Sequence, residues 1–190
     1  GAQHAIVDQA LWEPLEGTLA PANIRPIVSI GGPPQGRIPN FEEFMSEHGA
    51  DEPDVEIHGD DIWQVLFTSG TAAKPKAVMI SHTSTYMAAY SKALTMTRGL
   101  SHESEIRLGV FTPMVFHIGD QLCVFGPLVC GGTVIIGRKP QGPEMARAIT
   151  DEKVTCLFGG SPQFVESLIT EVQSKPEEYD LSSLGVMWFG

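Results

Sequence analysis

The residue types best suited to chemistry lie together in Thr68-Ser69-Gly70-Thr71-Ala72-Ala73-Lys74-Pro75-Lys76-Ala77, between two β-type runs. Three hydroxyls, a glycine and two lysines fall within nine residues. Hydroxyls and backbone N–H groups donate hydrogen bonds to phosphate oxygens, and ammonium groups balance their charge, so this segment can surround a polyphosphate such as that of ATP. A Walker P-loop would require GxxxxGK[ST]. Here Pro75 precedes Lys76 and Ala77 follows it, so that ending is absent, and the segment leads into a β-type run rather than a helix. Composition alone leaves a second reading open, a polar hairpin carrying surface lysines.

Other reactive types point elsewhere. Gly159-Gly160-Ser161-Pro162-Gln163 starts like a nucleophile elbow, but GxSxG fails at Gln163, and Ser161 is better read as a helix N-cap. Cys123, Cys130 and Cys156 are too scattered for a disulfide framework and form no CxxC pair. A metal site built from His117, Cys123 and Cys130 can be imagined, yet all three thiols lie in apolar surroundings and are read as buried and inert, so no metal ligand is expected. Glu103, Glu105, Asp120, Glu144, Asp151 and Glu152 show no convergent pairing and are assigned to solvated faces.

The elements that must position the Thr68 to Lys76 segment are legible from texture. Residues 1–60 are rich in Pro and Gly, with one strand-like run at Ile27-Val28-Ser29-Ile30 and one helical stretch at Phe41-Glu42-Glu43-Phe44-Met45. They are expected to form a meander and connector packing on the main body. From Ile62 onward β-type runs alternate with helical patterns. The expected strands are Trp63 to Thr68, Ala77 to Ser81, Arg107 to Thr112, Thr133 to Ile136, Val154 to Phe158 and Val186 to Phe189. Between them Met87, Tyr90 and Leu94 recur at helical spacing, as do Ile118, Leu122 and Phe125. Pro143 opens a third helix, and Ser161-Pro162 opens a fourth with Val165, Leu168, Ile169 and Val172 as its stripe. The fold class that follows is α/β, a mostly parallel sheet flanked by helices, over residues 61–190. The chain ends on an apolar strand at Gly190 and reads as cut from something longer.

The 190 residues suffice for one large domain or two small ones, and 42% hydrophobic against 18% charged residues is a globular composition. A net charge of −11 argues against nucleic acid as a partner, because phosphate-backbone binders work through basic surfaces. No apolar run approaches the roughly 18 to 20 residues of a membrane-spanning helix, and no secretory leader opens the chain, so a cytoplasmic protein is expected.

The order of residues adds a resemblance. Phe67-Thr68-Ser69-Gly70-Thr71-x-x-x-Pro75-Lys76, followed by Ser81-His82, closely resembles the phosphate-binding signature of the AMP-forming acyl-CoA synthetases. These belong to the adenylate-forming superfamily, with peptide-synthetase adenylation domains and luciferases. Pro113-Met114-Val115-Phe116-His117-x-Gly119 resembles the segment that helps form the family's acyl pocket. Gly131-Gly132-Thr133-Val134, Val154-Thr155 with Ser161-Pro162, and Leu181-Ser182-Ser183-Leu184 fall in the family's order as well.

The resemblance implies that Thr68, Ser69, Gly70, Thr71 and Lys76 contact the β- and γ-phosphates of ATP, with Lys76 as the catalytic charge, and that His117 lies beside the acid substrate. Ala72, Ala73 and Ala77 depart from the commonest pattern of Thr, Gly and Gly, and alanine restricts positive φ and close backbone approach. It further implies a partial N-terminal domain of an enzyme that joins a carboxylic or fatty acid to coenzyme A through an acyl-adenylate. Mg²⁺ would be held mainly by residues outside this chain. The isolated piece is expected to be inactive. An adenylation domain loading a carrier protein, and a non-catalytic nucleotide-binding module, stand as alternatives.

Overall fold

The structure is a computed structural model and describes residues 3–33, 36–68, 75–112 and 123–189. The chain divides into two compact units, residues 1–56 and 57–190.

In the first unit β1 (His4–Asp8) and β2 (Arg25–Ile30) pair in parallel. Parallel strands need a crossover, and α1 (Trp12–Leu19) lies within it. Pro14 sits in the first turn of α1, where a missing N–H costs nothing. Val7 and Val28 are buried between these elements. The strand and helix read at Ile27 to Ile30 and Phe41 to Met45 fall within β2 and α2 (Phe41–Ser46). Asn40 starts α2 with a capping box, its Oδ1 accepting from Glu43 N at 2.8 Å.

In the second unit β3 (Ile62–Thr68) and β4 (Lys76–Ser81) form a separate two-stranded antiparallel sheet. A parallel arrangement is impossible here, because the connection from Thr68 to Lys76 is too short for a crossover. The expected parallel order holds for the rest: β5 (Arg107–Val110), β6 (Thr133–Ile136), β7 (Cys156–Gly160) and β8 (Val186–Phe189) lie in the order β6-β5-β7-β8, every pair parallel.

Helices α3 (His82–Met96) and α4 (Gly126–Val129) supply one group of contacts to this sheet, and α5 (Gly142–Glu152) and α6 (Pro162–Ser174) supply another. Two apolar clusters result. Met96, Leu108, Val110, Cys156 and Phe158 belong to the first, and Met145, Ile149, Val154, Leu157 and Leu168 to the second. A sheet enclosed on both faces explains why its strands read as near-continuous apolar runs.

The apolar positions read on α3 are not its buried face. Met87, Tyr90 and Leu94 are 61%, 44% and 59% exposed, while Ala89, Ala93 and Met96 are buried. The cause is close approach. A Cβ on Gly126 of α4 would stand 3.3 Å from Ala89 O and 3.6 Å from Ala93 N, so the contacting positions must be small.

Candidate functional site

The capped start of α3 holds the base of the β3–β4 hairpin. Ser81 is the N-cap residue, in a capping box with Ser84, and Thr85 Oγ1 donates to Ser81 O at 3.1 Å. From there the antiparallel register runs outward, through Val65 opposite Met79 and Phe67 opposite Ala77, to Thr68 opposite Lys76. Thr68 Oγ1 donates to Lys76 O at 3.5 Å across the neck of the connection. Both residues are exposed. Among the described residues no carboxylate forms an ion pair with Lys76. A threonine paired with an exposed lysine at the root of a hydroxyl-rich sequence suits a polyanion.

Of the site residues expected from sequence, the structure therefore brings Thr68 and Lys76 together. Ser69, Gly70, Thr71 and His117 lie outside the described residues, as do Ala72, Ala73, Lys74 and Asp120.

Sequence reasoning missed Trp63. Its indole N–H donates to Thr85 Oγ1, and its ring meets Phe125 edge-on with centroids 5.5 Å apart. Together with His82, Tyr86 and Val129 these residues line an apolar cleft of about 320 Å³. A tryptophan at the start of a strand carries no such signal by itself. Only the register, which sets Ile62 opposite Ser81, brings it to the cap of α3.

Ser161 occupies the N-cap position of α6 with extended backbone, as read, but its hydroxyl makes no cap. The N–H it would take, that of Phe164, is bonded at 3.0 Å to the Ser161 carbonyl instead. The hydroxyl is buried without a hydrogen-bond partner among the described residues.

Glu144, Glu105 and Glu152 are engaged locally. Glu144 Oε1 accepts from Arg138 N at 2.6 Å, Glu105 Oε2 accepts from Ser101 N at 3.0 Å, and Glu152 pairs with Arg107 at 3.4 Å. Among the described residues no group of three His, Cys, Asp or Glu side chains could hold a metal ion. No described helix is long and apolar enough to cross a membrane.

Cys123 and Cys156 are buried, and burial, aided by the nearby Cys123 thiol and opposed by Lys92, pushes the Cys156 thiol up to about 12. Below pH 9 the folded and unfolded chains both keep this proton. Between about 9 and 12 the unfolded chain alone loses it, so stability falls as pH rises through that window. Mass spectrometry after iodoacetamide treatment at pH 8 should find Cys156 unmodified in the native protein and modified in urea. Labelling of the native protein as fast as of the denatured one would refute its burial.

The comparisons with known proteins agree on one relationship. A family model described as "AMP-binding enzyme" matches residues 1–190. The 2-succinylbenzoate–CoA ligase of Bacillus licheniformis is 32% identical over 126 residues, 66% of this chain and 25% of that protein. Long-chain-fatty-acid–CoA ligase FadD13 of Mycobacterium tuberculosis is 30% identical over 150 residues, 79% of this chain and 28% of that protein. Among solved structures, a long-chain-fatty-acid-CoA ligase (FadD1) from Archaeoglobus fulgidus superimposes with a TM-score of 0.77 at 25% identity, over 98% of this chain and 35% of the other. The chain spans about a quarter of the length of the curated relatives it matches.

Proposed function

This chain belongs to the AMP-binding enzyme family, and on that premise we propose that the polypeptide carrying it is an AMP-forming acid–thiol ligase of the cytoplasm. A substrate carboxylate oxygen attacks the α-phosphorus of ATP, the bond to the bridging oxygen breaks, and pyrophosphate leaves with that electron pair. The thiolate of coenzyme A then attacks the acyl carbonyl, and AMP departs. Residues 61–190 carry the phosphate-binding part, and residues 1–60 lead into it.

In this reading Thr68, Ser69, Gly70 and Thr71 bind the β- and γ-phosphates through hydroxyls and backbone N–H groups. Lys76 balances the charge that develops on the departing pyrophosphate, and His117 borders the acid. The observation that carries the reading is the pairing of Thr68 with Lys76 at the ends of β3 and β4, the connection between them carrying the Ser69-Gly70-Thr71 and Pro75 of the family's signature. Among the described residues no group of three metal-ligating side chains stands together, and the magnesium that accompanies ATP would take its main protein ligand from outside this chain.

The relatives are named for 2-succinylbenzoate, acetyl-coenzyme A and long-chain fatty acids, so a small carboxylic or fatty acid is the proposed substrate class. Exchange of labelled pyrophosphate into ATP, measured on the whole polypeptide with acetate, 2-succinylbenzoate and decanoate in turn, is the test. Exchange that depends on one of these acids is the expected result. ATP bound with no exchange under any of them would point to a nucleotide-binding module without ligase activity.

A further inference from the structure

The hairpin that bears the loop shares no strand pairing with the four-stranded sheet among the described residues, so its stance is set by its direct run into α3, by the backbone bonds from His82 N to Asp61 O at 3.1 Å and from Thr83 N to Gly59 O at 2.9 Å, and by side chains. Trp63 meets three groups outside its hairpin, one of them the His82 ring, tilted 41° from its own with centroids 6.4 Å apart. Its indole N–H donates to Thr85 Oγ1 in the first turn of α3, and that hydroxyl in turn donates to the carbonyl of Ser81, the N-cap residue. Its ring stands at 77° to Phe125, the residue that opens α4 and closely follows the 113–122 segment containing His117. Edge-to-face contact is the geometry aromatic pairs prefer, and it constrains tilt as well as distance.

We propose that Trp63 is a positioning residue for the phosphate-binding loop, acting through Thr85 and Phe125 to set where Thr68 and Lys76 stand. This inference rests on the nucleotide reading above. A strand rises about 3.3 Å per residue, so the loop end of β3 lies roughly 17 Å from Trp63, and a swing of about 10° there moves it by about 3 Å. Misplacement by about 1 Å is enough to weaken a preorganised site severely.

The test measures MgATP affinity of the whole polypeptide by calorimetry. Trp63→Leu should weaken binding about tenfold, and Phe125→Leu by a similar factor. The double variant should bind no more weakly than Trp63→Leu alone, because that substitution already removes the ring contact that Phe125→Leu breaks. Trp63→Phe, which keeps a ring against Phe125, should recover most of the loss. A Trp63 that serves packing alone would lower the melting temperature in these variants and leave their ATP affinity at the parent value, and that result overturns the proposal. So does a double variant whose loss is the product of the two single losses. If Trp63→Leu fails to fold, Phe125→Leu decides: weaker ATP binding supports the role and parental binding overturns it. A parent protein that binds no MgATP overturns the nucleotide reading itself, whereas parental binding untouched by both substitutions removes only the role of Trp63.

Discussion

Replacing Lys76 with alanine in the whole polypeptide should lower ATP–pyrophosphate exchange by roughly 10²- to 10³-fold, the loss typical when one preorganised charge-stabilising group is removed. Lys76 opens β4 with its main chain paired to Thr68, so its ammonium starts from an anchored backbone rather than from a free tail. Its charge matters most as pyrophosphate departs. The effect should therefore appear in the exchange rate at saturating ATP as well as in ATP affinity. Lys74→Ala, two residues earlier and at one of the unspecified positions of the Thr68-Ser69-Gly70-Thr71-x-x-x-Pro75-Lys76 pattern, should change exchange only a few-fold. Equal losses at both lysines would reduce the loop to a basic patch.

A second large effect is expected at the centre of the sheet. Leu108 is fully buried on β5, with β6 on one side and β7 on the other, and it belongs to the same apolar cluster as Met96 and Val110. Leu108→Ala should cost about 2–5 kcal/mol, the range for emptying a packed leucine site, and should lower the urea midpoint with little change in slope. Leu94→Ala on α3 should stay within about 0.5 kcal/mol in this chain, since that side chain is largely exposed. A multi-kcal loss at Leu94 would restore the apolar stripe of α3 as its core face.

That contrast marks where sequence reasoning succeeds and fails. β6 and β8 coincide with the runs read at Thr133 to Ile136 and Val186 to Phe189, because β-branched and aromatic residues bounded by glycines leave few alternatives. α3 was legible as a helix, but its buried face was not. Hydrophobic periodicity weights Met87, Tyr90 and Leu94 above Ala89 and Ala93, whereas close helix contact selects small residues. β1 and α1 escaped notice because His4 and Asp8 bound a short strand and Pro14 obscures a helix whose first turn tolerates it. The motif proposed to bind phosphate was readable as a motif because the chemistry it suits depends on the order of hydroxyl, glycine and lysine. The fixing of its hairpin was not, since Trp63 meets Thr85 and Phe125 only once the strands are paired.

The strand order also sets a timetable for synthesis on the ribosome. The neck of the hairpin closes over eight residues, from Thr68 to Lys76, while the junction of β5 with β7 joins Arg107 to Thr155 across forty-eight. A hairpin forms in about 1–10 μs once its residues are free. Translation at about 5–20 residues per second delivers β7 several seconds later. Throughout that interval the hairpin and α3 exist without the sheet, displaying Phe67, Met79 and the outer stripe of α3, all of which are exposed in this chain. The frame of the connection from Thr68 to Lys76 is thus complete on the nascent chain seconds before the central sheet can close.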